Sequence, residues 1–542
     1  MNRLIIDNEL SNEIIISNNI KVFWSGDSSV FYKIEDVIKK NIQLNNDILK
    51  KILISQRGHF SFILKYYDYI FAAVDIVSSY PIFYSFNNKQ IIISNSAGKL
   101  KNKYTLNNTE PNALFEFYSS SYVTGENTIY SNLFKIRPGE MLCINSKKNS
   151  YNFENYFSYK PTIDQNQNKK EVKYLDELDK IMNSIFLDVI EKANGDPIWI
   201  PLSGGLDSRF IASKLKSLNC PNLFAFSYGP KGNYEAKAAK KVAKILEIPW
   251  IFIKSKPSLT KKLFQSSKRK EYWNYSSGYY CLPSMMEYEA ICQLKRKKIL
   301  DKNSIIINGQ TGDFITGGHI PKYLIEKGST VSDLIDAIID KHYSIWENNH
   351  ENRLIEIKKK IVETLGLNNK KNLSPEELAS YYECWEWQSR QSMAVLNGQR
   401  LYDFYEYRWM LPLWEKSLVS FYKTVPLKLR LDQNLFLLYL NKFNYRNLFM
   451  NYRSENRRWN FPMSIFLKVL SLTFRILNLN NNNVYKYFSY WSHYSNQYSF
   501  YGIMYFINNI KRAVVPPQAR GVLALGVERW LEENINSSNK KF

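Results

Sequence analysis

The stretch Leu202-Ser203-Gly204-Gly205-Leu206-Asp207-Ser208 decides the fold. An apolar run at residues 198–202 leads into it and an amphipathic pattern at about 209–218 follows, which predicts strand, glycine loop and helix. Adjacent glycines let backbone amides approach a polyphosphate, and a helix N-terminus adds the positive end of its dipole. The two serines of the stretch can donate hydrogen bonds to the same anion. Asp207 suits an anion site only beside a cation, so we interpret it as a magnesium ligand.

Strand-like and helical patterns alternate around this loop. Runs at 223–228 and 250–253 predict strands, and the pattern at 234–246 predicts a helix between them. A long amphipathic helix is predicted at 171–193, before the first strand. Such alternation is typical of a parallel sheet with helical crossovers, and after about residue 331 the chain is predicted to be mainly helical.

A second glycine-rich loop follows a further strand predicted at 304–307. It reads Asn308-Gly309-Gln310-Thr311-Gly312-Asp313-Phe314-Ile315-Thr316-Gly317-Gly318. Because open α/β sheets bind ligands at the carboxyl ends of their strands, this loop is expected to face the first one. Asp313 would then be a second magnesium-binding carboxylate.

The two loops resemble those of a known family. The chain lacks the Walker pattern GxxxxGK[ST], whereas SGGLDS resembles the pyrophosphate-binding loop of ATP-pyrophosphatases, which cleave between the α and β phosphates. The second loop resembles the SGEGSDELFGG pattern of asparagine synthetases. This resemblance implies ATP and Mg²⁺ as cofactors, with Asp207 and Asp313 as the metal ligands. The nucleotide-binding residues that it implies are Leu202, Ser203, Gly204, Gly205, Leu206, Asp207, Ser208, Phe226, Ser227, Asn308 and Gly309.

One catalytic position departs from the family. Its glutamate, which helps the amine to attack the adenylate, is Gln310 here, and an amide cannot accept a proton at neutral pH. General-base duty must fall elsewhere or be unnecessary. Glu235, in the first turn of a predicted helix, is either a candidate for the ATP and metal side or a carboxylate favoured by the helix dipole.

Two later segments complete the resemblance. Glu406-Tyr407-Arg408 with Pro412-Leu413-Trp414 resembles the family's E-x-R-x-P-F-L-D stretch, with two extra residues before the proline. Arg457 and Arg458 fall where the family places a lysine that neutralises pyrophosphate, so either Arg458 or Arg457 carries that role or the pair is a solvated basic patch. The implied catalytic residues are Asp207, Asp313, Gln310 and Arg458.

Residues 52–156 consist of short alternating runs and predict a mostly β domain. Gly58-His59-Phe60-Ser61-Phe62 and residues 74–84 resemble the glutaminase domain of class B asparagine synthetases. The resemblance implies an Ntn-hydrolase-like β-rich domain at 1–160 and an ATP-pyrophosphatase domain at 170–535 with a helical C-terminal part. That family hydrolyses glutamine with an N-terminal cysteine, whereas residue 2 is Asn2 and no cysteine precedes Cys143. The glutaminase domain is therefore expected to be degenerate.

Composition and net charge indicate which classes of ligand and partner the chain can bind. The net charge of +23 is spread along the chain, which suits phosphorylated ligands or acidic partners, and no zinc-finger or basic-aromatic pattern indicates nucleic acid. Five cysteines without paired spacing and the lack of a secretory signal favour a cytoplasmic protein. The longest apolar stretch, 465–477, is interrupted by two basic residues, so no transmembrane segment is expected. The oligomeric state is left open.

The resemblance implies an ATP-dependent ligase that forms an acyl-adenylate, releases pyrophosphate and passes the acyl group to nitrogen. Three reactions stay open: asparagine synthesis from free ammonia; amidation of a sugar acid in surface-polysaccharide assembly, the favoured setting; and intramolecular amide closure, as in β-lactam synthetases or lasso-peptide cyclases. The partners would be a small or carrier-linked carboxylate and ammonia or an amine, from a separate glutaminase in one version. A non-catalytic nucleotide-binding scaffold is the alternative outside enzymes.

Overall fold

The computed structural model describes residues 4–7, 11–40, 42–87, 90–162, 170–346, 351–449, 472 and 522–535. The strands are β1 (Leu4–Ile5), β2 (Asn12–Ser17), β3 (Ile20–Gly26), β4 (Phe60–Tyr66), β5 (Tyr69–Val74), β6 (Phe83–Asn87), β7 (Gln90–Ser94), β8 (Phe134–Lys135), β9 (Glu140–Asn145), β10 (Ser150–Asn155), β11 (Ile198–Pro201), β12 (Leu223–Gly229), β13 (Trp250–Lys254), β14 (Ile305–Ile307) and β15 (Arg408–Met410). The α-helices are α1 (Ser29–Lys39), α2 (Asn46–Ser55), α3 (Ala97–Tyr104), α4 (Pro111–Ser120), α5 (Glu171–Ala193), α6 (Leu206–Ser217), α7 (Tyr234–Leu246), α8 (Pro257–Phe264), α9 (Ser267–Ser277), α10 (Tyr288–Arg296), α11 (Gly312–Ile315), α12 (Lys322–Lys327), α13 (Val331–His342), α14 (Glu351–Leu365), α15 (Pro375–Glu386), α16 (Arg400–Phe404), α17 (Lys416–Tyr422), α18 (Leu427–Arg430), α19 (Asn434–Lys442) and α20 (Val522–Asn534).

The N-terminal part contains two facing sheets. One has six antiparallel strands in the order β10-β9-β5-β4-β3-β2, and the other has the order β1-β7-β6-β8. Ile63 and Leu142 from the first sheet and Ile93 from the second lie in one buried cluster between them. Because strand side chains alternate, Phe62 and Leu64 point the other way, towards the side where α1 and α2 pack. Helix α3 contacts β6 and β7. This part is β-rich, as predicted.

The C-terminal part is built on a five-stranded parallel sheet with the order β13-β12-β11-β14-β15. The central strand β11 pairs Pro201 with Phe226 of β12 and Trp199 with Ile306 of β14. All three isoleucines of β14 are fully buried, as in sheets covered on both faces. The predicted α/β fold class with a parallel sheet is confirmed, and its central strands β11 and β14 end at the two glycine loops.

The chain after α12 is mainly helical through residue 449, as predicted, apart from the edge strand β15. Helix α15 continues directly into a π-helix at Trp387–Val395, and Gln399 just beyond it donates a hydrogen bond to Gln310. The Asn-rich break at 478–483 and the aromatic cluster at 485–506 lie outside the described residues. Within the described part of the chain, no helix has both the length and the apolar character needed to cross a membrane.

Candidate nucleotide site

The first glycine loop bridges the end of β11 and the start of α6. The Ser203 backbone N–H donates to Ser208 Oγ at 3.1 Å, and the two serine hydroxyl oxygens are 3.0 Å apart. The Gly205 N–H donates to Ser203 Oγ at 3.1 Å. The loop is thus a compact turn held by its own serines, with the N-terminus of α6 immediately behind it.

Strand β12 supports the beginning of this loop. The Leu202 N–H donates to the Phe226 carbonyl at 2.8 Å, and Ser227 Oγ donates to the Leu202 carbonyl at 2.6 Å. Trp250 Nε1 in turn donates to Ser227 Oγ at 2.9 Å. Ser227 is buried and its hydrogen bonds go to protein groups. Phe226 and Ser227 therefore support the loop through their hydrogen bonds to Leu202.

The second loop lies directly against Asp207. A Cβ built on Gly309 would come 2.6 Å from Asp207 Cβ, and one on Gly312 would come 2.5 Å from Asp207 Oδ1. Asp313 directly follows Gly312, so its backbone lies beside the same carboxylate. Glycine is needed at both positions because real Cβ atoms do not approach this closely. The structure therefore brings the two aspartates into one place.

The two carboxylates differ in their surroundings. Asp207 Oδ1 is buried and has no hydrogen-bond partner among the described residues. Burial, and then repulsion from Asp313, raises the pKa of Asp207 well above its ordinary value. The side chain of Asp313 is 54% exposed. A buried carboxylate oxygen without a partner beside a second carboxylate fits a hard cation bound between them.

Asp313 is held by a histidine and a glutamate that were not expected from the sequence. His319 Nε2 lies 2.9 Å from Asp313 Oδ2, and His319 Nδ1 contacts Oε1 of the fully buried Glu386. Although burial favours the neutral imidazole, the charge of Glu386 and the hydrogen bonds to both carboxylates raise the pKa of His319 to about 9. Although the Asp313 side chain is 54% exposed, the protein around it partly desolvates the carboxyl and opposes its ionisation. The hydrogen bond and charge of His319 outweigh this effect and lower the pKa of Asp313. A protonated His319 thus keeps Asp313 charged.

Gln310 belongs to a network of amides. Its backbone N–H donates to Asn308 Oδ1 at 3.1 Å, and its Oε1 accepts from Gln399 Nε2 at 2.5 Å. Asn308 Nδ2 donates to Tyr402 OH at 3.3 Å, and that hydroxyl donates to Glu287 Oε2 at 2.5 Å. Burial raises the pKa of Glu287 to about 7. The network thus connects the second loop to a carboxyl group that titrates near neutral pH.

The other residues that the sequence singled out do not all lie at the glycine loops. Glu235 lies in the first turn of α7 and its carboxylate accepts a hydrogen bond from Tyr234 OH at 3.0 Å. Ala238 of the same helix packs against Gly204. The Glu406 side chain is 90% exposed. Arg408 lies on the edge strand β15 and pairs with Asp196 at 2.6 Å. Arg457 and Arg458 lie outside the described residues.

Several residues near the loops were not predicted from the sequence: His319, Glu386, Glu287, Tyr402 and Gln399. His319 directly follows Gly318, so its place next to the loop is a signal that was available. Glu386 lies 67 residues further along the chain and Tyr402 lies 115 residues from Glu287, and no spacing in the sequence relates them.

Comparisons with known proteins find matches to part of the chain. A sequence model described as asparagine synthase matches residues 194–443, which include both glycine loops. The curated relative "Asparagine synthetase [glutamine-hydrolyzing] 1" of Bacillus subtilis (strain 168) is 28% identical over 199 residues. That match covers 35% of this chain and 30% of the relative, so the chain spans about a third of the length of that protein.

Two solved structures overlap with a larger share of the chain. One is a glutamine phosphoribosylpyrophosphate amidotransferase from B. subtilis complexed with ADP and GMP, with 10% identity, 56% of this chain and 59% of that chain covered, and a TM-score of 0.19. The other is the allosteric regulatory enzyme of purine biosynthesis, with 11% identity, 56% of this chain and 58% of that chain covered, and a TM-score of 0.18. Overlaps with such scores say nothing about function. The sequence match is more informative, and it shows that residues 194–443, which contain both glycine loops, are similar to asparagine synthases.

Proposed function

We propose that this chain is an AMP-forming carbon-nitrogen ligase that activates a carboxylate as an acyl-adenylate and transfers the acyl group to a nitrogen nucleophile. The observation that supports this most is the convergence of Asp207 and Asp313 beside a serine-glycine loop at the start of α6. Glycines and a helix N-terminus suit a polyphosphate, and paired carboxylates suit the cation that accompanies it. Leu202–Ser208 and Asn308–Gly309 would form the ATP site.

Each part of the site has a task in this proposal. Asp207 and Asp313 would hold Mg²⁺, which when bound neutralises charge that builds up on the departing pyrophosphate. His319 and Glu386 keep Asp313 oriented and ionised. The serines and amides of the first loop bind the pyrophosphate, and β12 holds that loop in place. Arg458 remains the proposed source of a further positive charge.

The nitrogen side differs from that of a glutamate-containing site. Gln310 and Gln399 can orient a nucleophile by hydrogen bonds but cannot remove its proton. Glu287 is the acceptor we favour, because its pKa of about 7 suits a general base and Tyr402 links it to Asn308. We further propose that the acid is a sugar carboxylate and that nitrogen arrives as ammonia or an amine, from a separate glutaminase or directly.

Carboxylate-dependent exchange of labelled pyrophosphate into ATP tests the proposal. We expect exchange with a suitable acid from a panel of sugar acids, aspartate and peptides, and at least about a 100-fold loss in Asp207→Asn and Asp313→Asn, each of which removes a charged metal ligand. Glu406→Gln is the matched control because that side chain is 90% exposed. Formation of ADP and phosphate, or unchanged exchange in both aspartate variants, would reject the mechanism.

A further inference from the structure

The buried carboxylate of Glu386 is surrounded by more basic side chains than it can balance. Its Oε2 lies 3.4 Å from Lys341 Nζ, and its Oε1 lies 3.2 Å from Arg390 Nη1. The same Oε1 contacts the imidazole of His319. Burial opposes ionisation of Glu386, but the charges of His319 and Lys341 outweigh it and hold the pKa of Glu386 well below its ordinary value. Three basic side chains therefore share one negative charge.

Two of these basic side chains also reach the surface. The Lys341 side chain is 36% exposed and the Arg390 side chain is 35% exposed, whereas Glu386 is fully buried. Lys341 Nζ also donates to the His319 carbonyl at 3.2 Å, so the ammonium group is held next to the end of the second loop. Burial lowers the pKa of Lys341, an effect that a bound anion would oppose. Both cations therefore have surface that an anionic ligand can contact.

The π-helix at Trp387–Val395 fixes the position of Arg390. Arg390 and the next residue, Gln391, both reach back to Glu386, and Gln391 Nε2 donates to Glu386 Oε1 at 2.9 Å. Segments of π-helix are rare and occur frequently at functional sites. Arg390 is therefore held in place by its backbone conformation and by a buried partner.

The two cations lie beside the proposed metal site and not in it. His319 contacts Asp313 Oδ2 through Nε2 at 2.9 Å and contacts Glu386 through its other ring nitrogen, so the imidazole lies between Asp313 and Glu386. Burial opposes ionisation of Asp313, and His319 and then Arg390 overcome it and lower the pKa of Asp313. The charge of Arg390 therefore acts on the proposed metal ligand across the imidazole. An anion at Lys341 and Arg390 would be a neighbour of the Mg²⁺ and not one of its ligands.

The charges and the donor groups suit a phosphate. Because three basic side chains meet one carboxylate, the site favours a group with more than one negative charge. A phosphate monoester carries a charge of about −1.5 to −2 at pH 7 and has three strong acceptor oxygens. Guanidinium groups bind phosphate through two parallel hydrogen bonds, and a lysine adds a point charge. A single carboxylate would balance less of the positive charge.

We propose that Lys341 and Arg390 bind a phosphate group of the acid substrate, at the end of that molecule away from the reacting carboxylate. This inference rests on the proposed ligase function and narrows its substrate to acids with a second, phosphate-based negative group. A sugar acid that is a phosphate monoester, or one that is joined through a diphosphate to a nucleotide or carrier, has this chemistry. The reacting carboxylate lies at the nucleotide and the phosphate lies on the far side of His319.

Titration calorimetry on the full chain with Mg²⁺ provides the test. The probes are glucuronic acid 1-phosphate, uridine diphosphate glucuronic acid and methyl glucuronoside, which has the carboxylate but no phosphate. We expect one of the phosphate-bearing probes to bind at least about tenfold more tightly than methyl glucuronoside, and the tighter one shows whether the phosphate is a monoester or part of a diphosphate. Arg390→Gln should abolish most of this preference. Lys359→Gln, at a side chain on α14 that is 62% exposed, is the matched control and should retain it.

Lys341→Gln covers the case in which Arg390→Gln fails to fold, as judged by thermal unfolding, and it should reduce the same preference. Equal binding of the three probes, or loss of affinity for Mg²⁺-pyrophosphate with an intact phosphate preference, would overturn the proposal. The second result would assign the two cations to the leaving group. Pyrophosphate exchange separates this inference from the ligase mechanism: a phosphate preference without exchange supports the anion site alone, and exchange that is equally efficient with acids lacking phosphate rejects the anion site alone.

Discussion

At the residue scale, the fit between Asp207 and the glycines of the second loop determines the site. Gly312 has Asp207 Oδ1 on one side and Leu413 Cδ1 on the other, 2.5 and 2.6 Å from where a Cβ would lie. Leu413 is 1% exposed and Asp207 Oδ1 is buried, so both neighbours have little room to move. The proposed metal-binding pair therefore depends on a residue that has no side chain.

Gly312→Ala should destabilise the fold by about 1–3 kcal/mol, because overpacked atoms force their neighbours to shift. It should also lower pyrophosphate exchange more than the loss of folded protein explains. Gly98→Ala in α3 is the control, since its nearest neighbour would be 4.0 Å away. Chemical denaturation and exchange assays measure both quantities, and equal behaviour of the two variants would contradict the argument.

His319→Asn should raise the Mg²⁺ concentration needed for half-maximal exchange by about 10-fold, because Asp313 loses the hydrogen bond that orients it. The KM for the acid should change much less. A parallel fall of activity at every Mg²⁺ concentration, without a shift in the midpoint, would show that His319 does not act through the metal site.

At the element scale, the parts predicted well are those where local pattern and packing agree. Helices α5 and α7 begin and end at the predicted residues, and β11 and β12 differ from prediction by one residue at an end. Their apolar positions face one continuous core, so periodicity alone locates them. The SGGLDS loop and its flanking elements were predictable for the same reason.

Other elements could not be predicted locally. Helices α3 and α4 fall in a region predicted as mostly β, and each has 10 residues or fewer, a length at which helices depend on tertiary contacts. Residues 406–408 resembled part of the site in the sequence. In the structure, Arg408 begins the edge strand β15 and the Glu406 side chain is exposed to solvent. Glu386, at the end of α15, joins the site only through tertiary packing, because its contact with His319 spans 67 residues of chain.

Strand β8 contains a buried lysine whose titration should be visible in stability. Burial lowers the pKa of Lys135 to about 7 from 10.5. The folded state then binds fewer protons than the unfolded state between these values, so the cost of burying the charge is full below pH 7 and declines as pH rises towards 10.5.

Lys135→Met should therefore remove a rise in stability that the original chain shows between about pH 7 and 9. Urea denaturation midpoints at several pH values measure this difference. Lys103→Met in α3, an exposed position, is the control and should retain the rise. A pH profile that is the same in the Lys135 variant and the original chain would contradict the assignment.

At the scale of the whole molecule, the two parts are joined by backbone hydrogen bonds as well as by side-chain contacts. The Val123 and Ile129 N–H groups donate to the carbonyls of Tyr280 and Tyr279, at 2.7 and 2.9 Å. Helix α20 adds Trp530, which packs against Phe117 of α4 with centroids 4.8 Å apart. The N-terminal part is therefore built into the molecule even though we assign it no reaction.

The state of the five cysteines leads to a prediction about glutamine hydrolysis. Burial raises the pKa of Cys143, Cys220 and Cys384 to about 11, and it also raises the pKa of Cys281 and Cys292. Thiols that stay protonated are poor nucleophiles. We expect the purified chain to release no glutamate from glutamine in a coupled assay, while ammonia supports any amidation. Glutamate release above that of a heat-inactivated control would contradict this expectation.

The ion pair between Arg269 and Glu533 links α9 to α20 with two hydrogen bonds, and Arg269 is 1% exposed. Arg269→Ala removes two hydrogen bonds to a carboxylate, while Glu533 keeps its ion pair with Arg529 at 2.9 Å, so the change should lower stability by about 1.5–3 kcal/mol. The neighbouring Lys268→Ala, at an exposed pair, should cost less than about 1 kcal/mol. Denaturant unfolding distinguishes the two outcomes.

The contacts of α20 should hold the two parts of the molecule together even when the covalent connection between them is cut. With Trp530 seated beside Phe117 and Glu533 tied to Arg269, noncovalent contacts alone should keep the halves together. A chain cut once at an inserted protease site within 163–169 should therefore still elute as a single species, and only denaturant should release its two fragments.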